Sequence, residues 1–129
     1  MGKLTLQPSS VAVPAAPYVP GTKCGSLVFT AGQVAIDREG KLVGKEDVKA
    51  QARQTLQNLK AVLEEGGATL ADVMKTTVFL VDMGDFAKMN EVYTEFFGNQ
   101  KPARTTVEAS LALPDFLVEI EAIAVVPDN

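Results

Sequence analysis

Arg104, Glu119 and Glu121 are the residues whose type and position could do chemistry: one cation and two carboxylates in strand-patterned, largely apolar sequence, KPARTTVEASLALPDFLVEIEAIAVV over 101–126. A guanidinium at a strand start can grip a carboxylate through two parallel N–H bonds. The bland alternative for Arg104 is a solvated surface arginine or a structural pair with a glutamate. Glu119 and Glu121 lie two residues apart and so share a strand face. One could act as a general base while the other ties down a backbone group or an arginine; a solvated strand edge is the alternative.

Three further residues stand out. Tyr18 sits in PYVPGTKCG (17–25), a Pro/Gly-rich loop that could display a binding tyrosine or simply pack one. Gly32 interrupts the apolar run 26–36, marking either a bulge or a point where a substrate reaches the main chain. Asn90 shares a helix face with Phe86 and Tyr93, is odd for a core position, and reads as an anchor for a neighbouring loop.

The missing residues narrow the chemistry. The chain has no histidine, which removes the usual general base, Ser/His and Cys/His nucleophile pairs and most zinc or haem sites. Without histidine, and with no third acid beside Glu119 and Glu121, a divalent metal site would be weak. Cys24 is the single thiol, which excludes an intrachain disulfide and CxxC redox chemistry; it reads as a small hydrophobe near the start of a strand. A net charge of -4 argues against general nucleic-acid binding, which rests on phosphate neutralisation by Lys and Arg.

The elements that must position these residues follow from periodicity. At 129 residues, 47% hydrophobic and 22% charged, the chain fits one globular domain over 1–129. No apolar run approaches a membrane span and no secretory signal precedes the domain, so a soluble, cytoplasmic protein is expected. Residues 26–36 read as a strand and Asp37–Gly40 as a turn, with a short returning strand at 41–43. Val48, Ala52, Leu56, Leu59 and Leu63 recur at spacings of four, four, three and four, a helix stripe that Glu46 and Asp47 favour at its start and Gly66-Gly67 stops. Thr69 caps a single turn through Asp72, and 75–81 is a strand. A second helix begins at Asp82 or Asp85 with a face of Phe86, Met89 or Asn90, Tyr93 and Phe96 or Phe97, ending at Gly98. In the last strand Phe116, Val118, Ile120, Ala122, Ala124 and Val126 form the core face, opposite Glu119 and Glu121. Hairpin, helix, strand, helix, strand, strand predicts an α+β protein with about five or six strands in one sheet and both helices on one face. The other face, with apolar or small residues of its own, is expected to be covered by further copies of the chain.

Taken in order, APYVPG, FTAGQVAID, QARQTLQNLKAVLEEGGATLADVMKTTVFLVDMGDFAKMNEVYTEFF, PARTTVE and LPDFLVEIEAIAV resemble the RidA (YjgF) family of imine and enamine deaminases over nearly the full length. The resemblance implies a chorismate-mutase-like fold, a homotrimer with sites in the clefts between subunits, and no metal or organic cofactor. It implies hydrolysis of 2-aminoacrylate and 2-aminocrotonate, or their imine tautomers, to 2-keto acids and ammonia: a 2-iminobutanoate/2-iminopropanoate deaminase. By position, Arg104 matches the arginine that holds the substrate carboxylate, Glu119 the glutamate beside the attacking water and Tyr18 the loop tyrosine. Thr30 and Gly32 match the pocket-lining strand. Asn90 joins the candidate substrate-binding residues, and Thr106 stands where some relatives carry cysteine, so a hydroxyl replaces a thiol there. Thr30 for serine and Ala16 for glycine are milder departures. Two other functions are weighed beside the deaminase: a regulatory module that binds a small carboxylate without turnover, and a ribonuclease or translation inhibitor.

Overall fold

A computed structural model describes residues 2–127. Asp47 starts the first helix, α1 (Val48–Glu65), its side chain accepting from the Ala50 N–H at 3.1 Å. Along α1 the predicted stripe is buried, joined by Val62. Each fully buried leucine contributes about 2 kcal/mol by its removal from water. Gly67, at φ 86°, then turns the chain out of the helix. Thr69 is tied to Asp72, whose carboxylate accepts from the Thr69 N–H at 2.8 Å and its hydroxyl at 3.2 Å, closing the short turn before the next strand.

Six strands form a single sheet: β1 (Leu4–Leu6), β2 (Gly21–Cys24), β3 (Leu27–Thr30), β4 (Val73–Leu80), β5 (Ala103–Glu108) and β6 (Val118–Val125). Their spatial order is β1-β2-β3-β6-β4-β5, and β4 with β5 is the parallel pair, joined across helix α2 (Phe86–Phe97). Val28, Val78, Leu80, Val118, Ile120, Ala122 and Ala124 share one sheet face and form one core with the buried residues of α1 and α2. Both helices therefore cover the same face, as the pattern predicts. On the opposite face Leu27, Phe29, Val107, Ile123 and Val125 each stay 37–42% exposed. No helix among the described residues is long and apolar enough to cross a membrane.

Several local expectations are corrected. The segment 17–25 is not all loop: Gly21–Cys24 is a strand, because it pairs in register with β3 from Gly21↔Thr30 to Cys24↔Leu27. Cys24 accordingly ends β2 at a hairpin and is exposed, not buried at a strand start. The strand expected over 26–36 stops at Thr30, and past Ala31-Gly32 only the bridge Gln33↔Ile120 continues it. The returning strand at 41–43 is likewise a single bridge, Ile36↔Leu42. In α2 the core face is Met89, Val92, Tyr93 and Phe97, whereas Phe86 remains 40% exposed. β1 was not foreseen; three residues carry too little pattern to announce a strand.

Candidate active site

Two clusters of candidate residues emerge, on opposite sides of the sheet. Across β4, Arg104 pairs with Thr76 and Thr106 with Val78, so Arg104 and Thr106 look toward the helices. Glu119 pairs with Phe79 and Glu121 with Thr77, so both carboxylates lie on the open face. The rung of Arg104 continues through Thr76 to Ala122, three residues along β6 from Glu119. Two strand spacings and three residues of rise separate the two Cα atoms by about 14 Å, with the side chains on opposite faces.

The first cluster is built by α2 lying over the edge strand. Arg104 sits against two rings of that helix, with Cζ 4.8 Å from the Tyr93 ring centroid and 5.4 Å from that of Phe86. Asn90, Tyr93, Thr94, Phe97, Lys101 and Arg104 line a cavity of about 260 Å³ here. Among the described residues Arg104 forms no ion pair; the pairs present are Arg38–Glu39, Lys49–Glu91 and Arg53–Glu95. Asn90 does not anchor a loop: among the described residues its side-chain oxygen is buried without a hydrogen-bond partner. An unpaired cation and an unused acceptor thus border one cavity. The Tyr93 phenol is raised above its ordinary value by burial, against the lowering effects of its bond to Thr76, the Arg104 charge and a bond from Arg104, and stays neutral near pH 7.

The second cluster surrounds Glu119. Between β3 and β6 the pairing Phe29↔Ile123 gives way to Gln33↔Ile120, so three residues, Thr30, Ala31 and Gly32, face two on β6. This is the bulge that Gly32 foretells. The Thr30 hydroxyl repairs the gap by accepting from the Ala122 N–H at 3.0 Å. A methyl at Gly32 would lie 2.7 Å from Glu119 Cδ and 2.9 Å from Cγ, so the glycine makes room for the carboxylate. Tyr18, Ala31, Gly32, Ala112 and Glu119 line a cavity of about 340 Å³, with Tyr18 54% exposed at its edge. Half-burial in these apolar walls raises the Glu119 pKa, and the Glu121 charge raises it further.

Residue-type reasoning missed the groups that hold this second cluster. On α1 the Gln51 side chain donates to the Gly44 and Asp115 carbonyls at 3.1 and 2.9 Å and accepts from the Leu117 N–H at 2.9 Å. Two turns later Asn58 donates to the Val34 and Ile36 carbonyls at 3.0 and 2.9 Å. These buried amides fix the segments on either side of Glu119: the approach to β6 and the chain after the bulge. Their signal was present as a polar pair at i and i+7 beside the apolar stripe.

Comparison with known proteins agrees with this architecture. Residues 9–126 match the profile of a family described as Endoribonuclease L-PSP. The chain is 52% identical over 111 residues to a RutC family protein of Pyrococcus abyssi, covering 86% of this chain and 87% of that one. Among solved structures, the YjgF gene product of E. coli is 40% identical with a TM-score of 0.87, covering 95% of this chain and 98% of that chain. E. coli TdcF, solved with bound serine, is 38% identical with a TM-score of 0.87 over the same shares.

Proposed function

Because this chain belongs to the Endoribonuclease L-PSP family, the RidA (YjgF) group, we propose that it hydrolyses short 2-imino acids to 2-keto acids and ammonia at sites assembled between two copies of the chain. One observation carries the reading: an arginine without an acid partner and a glutamate with a raised pKa sit on opposite faces of one sheet. In a 2-imino acid the carboxylate carbon is only about 1.5 Å from the imine carbon. A carboxylate clamp and a water activator about 14 Å apart cannot serve that substrate from one chain. A neighbouring copy brings them together, and the apolar open face of Leu27, Phe29, Val107, Ile123 and Val125 offers surface for such an assembly. We take that assembly to be a homotrimer, as the family resemblance implies.

In this mechanism Arg104 of one copy binds the substrate carboxylate through two charge-assisted bonds. The orphan Asn90 oxygen accepts from the substrate nitrogen, and the Thr106 hydroxyl lies on the same face. Glu119 of the other copy takes a proton from water as the oxygen adds to the imine carbon. The proton is returned to the imine nitrogen to give the carbinolamine; Glu119 then carries the carbinolamine hydroxyl proton to the amino nitrogen as the C–N bond breaks, so ammonia leaves and the carbonyl forms. Tyr18 and the main chain at Thr30–Gly32 wall the reacting centre. A raised pKa suits Glu119 as a base, because its ionised form seeks a proton more strongly than an ordinary carboxylate does. Serine in the TdcF relative is an amino acid of the size and charge this clamp would take.

The test is an assay in which a pyridoxal-phosphate dehydratase releases the imine and a nucleophilic trap competes for it. Faster keto-acid formation and less trapped adduct are expected with the wild-type chain. Keto-acid release at the uncatalysed rate would overturn the deaminase reading. Gly32→Ala is expected to lower kcat by about a hundredfold, the size of loss that an ångström of misplacement causes. It should leave the thermal transition near that of wild type, since the obstructed group is the end of a flexible side chain. The family description favours a second reading, endoribonuclease, against which the net charge of -4 counts. Cleavage of RNA that survives in Glu119→Gln would establish it as separate from the imine site.

A further inference from the structure

We propose that Phe86 and Tyr93 are positioning residues for Arg104, a pair of aromatic faces that hold its guanidinium in place while leaving its N–H donors free for a substrate carboxylate. The inference rests on the carboxylate-clamp reading of Arg104.

Both rings lie within the roughly 6 Å over which a guanidinium is attracted to an aromatic face. Phe86 and Tyr93 are seven residues apart, two turns along one side of α2, so the helix presents them together. The Tyr93 ring is itself tethered at both its hydroxyl and its face. Its hydroxyl shares a 2.7 Å hydrogen bond with Thr76, and its ring is tilted 34° against Phe97 at 4.5 Å between centroids. Thr76 is also the β4 residue paired with Arg104. The tether of the ring and the backbone of the arginine thus share one rung of the sheet, so ring and cation are fixed to a common frame.

The chemistry of the support matters as much as its rigidity. A carboxylate holding Arg104 would neutralise it and consume the fork of donors that a ligand needs. An aromatic face attracts the cation through its quadrupole without using its N–H groups, so that only the Tyr93 hydroxyl competes for one of them. The exposure of Phe86, wasteful in a core helix, is explained by this role. Leucine at either position would keep apolar bulk and lose the attraction.

Calorimetric titration of the assembled protein with 2-oxobutanoate, beside kcat and KM from the trap assay, tests the idea. Phe86→Leu is expected to raise Kd and KM about fivefold, and Tyr93→Leu roughly tenfold, with kcat within about twofold of wild type. Tyr93→Phe should restore wild-type Kd through its ring while melting at lower temperature, because the Thr76 bond is gone. Wild-type Kd in a folded Phe86→Leu would overturn the proposal, as would a Tyr93→Phe as weak as Tyr93→Leu. If Tyr93→Leu does not fold, Phe86→Leu decides alone, since that side chain lies outside the core. A wild-type protein that binds the keto acid without accelerating imine hydrolysis ends the deaminase reading and leaves this inference to the Kd series. No binding of the keto acid at all ends this one.

Discussion

Mixing Arg104→Ala protomers with Glu119→Gln protomers is expected to restore imine hydrolysis that neither variant performs alone. Arg104→Ala by itself should lose about two to three powers of ten in kcat/KM, the usual cost of removing one partner of a desolvated charge pair, and Glu119→Gln about two to four, the range for a lost general base. After unfolding and refolding of an equal mixture, a site is whole only where an intact Arg104 on one copy meets an intact Glu119 on the next. Random assembly gives that arrangement at about one site in four, whatever the size of a closed ring. Recovery to roughly a quarter of wild-type activity is therefore the expected reading, against the near-zero sum of the parents. The separation of the two residues by two strands, three residues and a sheet face is what makes this outcome necessary. A mixture no more active than its parents would mean that clamp and base do not meet across an interface, and the mechanism would fall.

That separation was only half legible in the sequence. Period-two alternation groups Arg104 with Thr106 and Glu119 with Glu121, and the structure keeps both groupings. It cannot say whether the two faces coincide, because that depends on register across β4, a strand some thirty residues earlier in the chain, and on β5 running parallel to it. Family resemblance named the site residues without this geometry. Helix α1 was readable almost to the residue, since a stripe at 3.6 spacing, an aspartate cap and a glycine stop are local signals. β1 and β2 were not, because they become strands only through β3, whose pairing supplies the hydrogen bonds their composition does not advertise. Asn90 was misjudged for a related reason. A polar residue on an apolar helix face reads as an anchor, whereas its oxygen is left without a partner beside an unpaired cation.

Glu119→Gln should lose activity and gain stability together at neutral pH. The amide keeps the shape of the side chain but cannot accept a proton, so kcat is expected to fall by about two to four powers of ten, the range for a lost general base. KM should change little, because in the proposed mechanism the carboxylate clamp lies on the other copy. The stability half follows from linkage. Below pH 4.5, the reference value for glutamate, folded and unfolded chains both hold the proton at this site. Above it the unfolded chain releases the proton first, because burial and the Glu121 charge hold the folded pKa higher. In that window the folded state binds more protons, so stability declines as pH rises, until the raised pKa is passed and the full cost of the half-buried charge remains. Glutamine removes the decline, and its melting temperature should exceed that of wild type at pH 7 while the two converge toward pH 4. The acid limb of wild-type kcat/KM should sit above the ordinary glutamate range, and Glu121→Gln should move it down by removing the like charge two residues away. An acid limb that Glu121→Gln leaves in place, or a Glu119→Gln variant less stable than wild type at pH 7, would show that the carboxylate is held by favourable contacts instead. Glu119 would then be a structural anion, and the base of the reaction would have to be sought elsewhere.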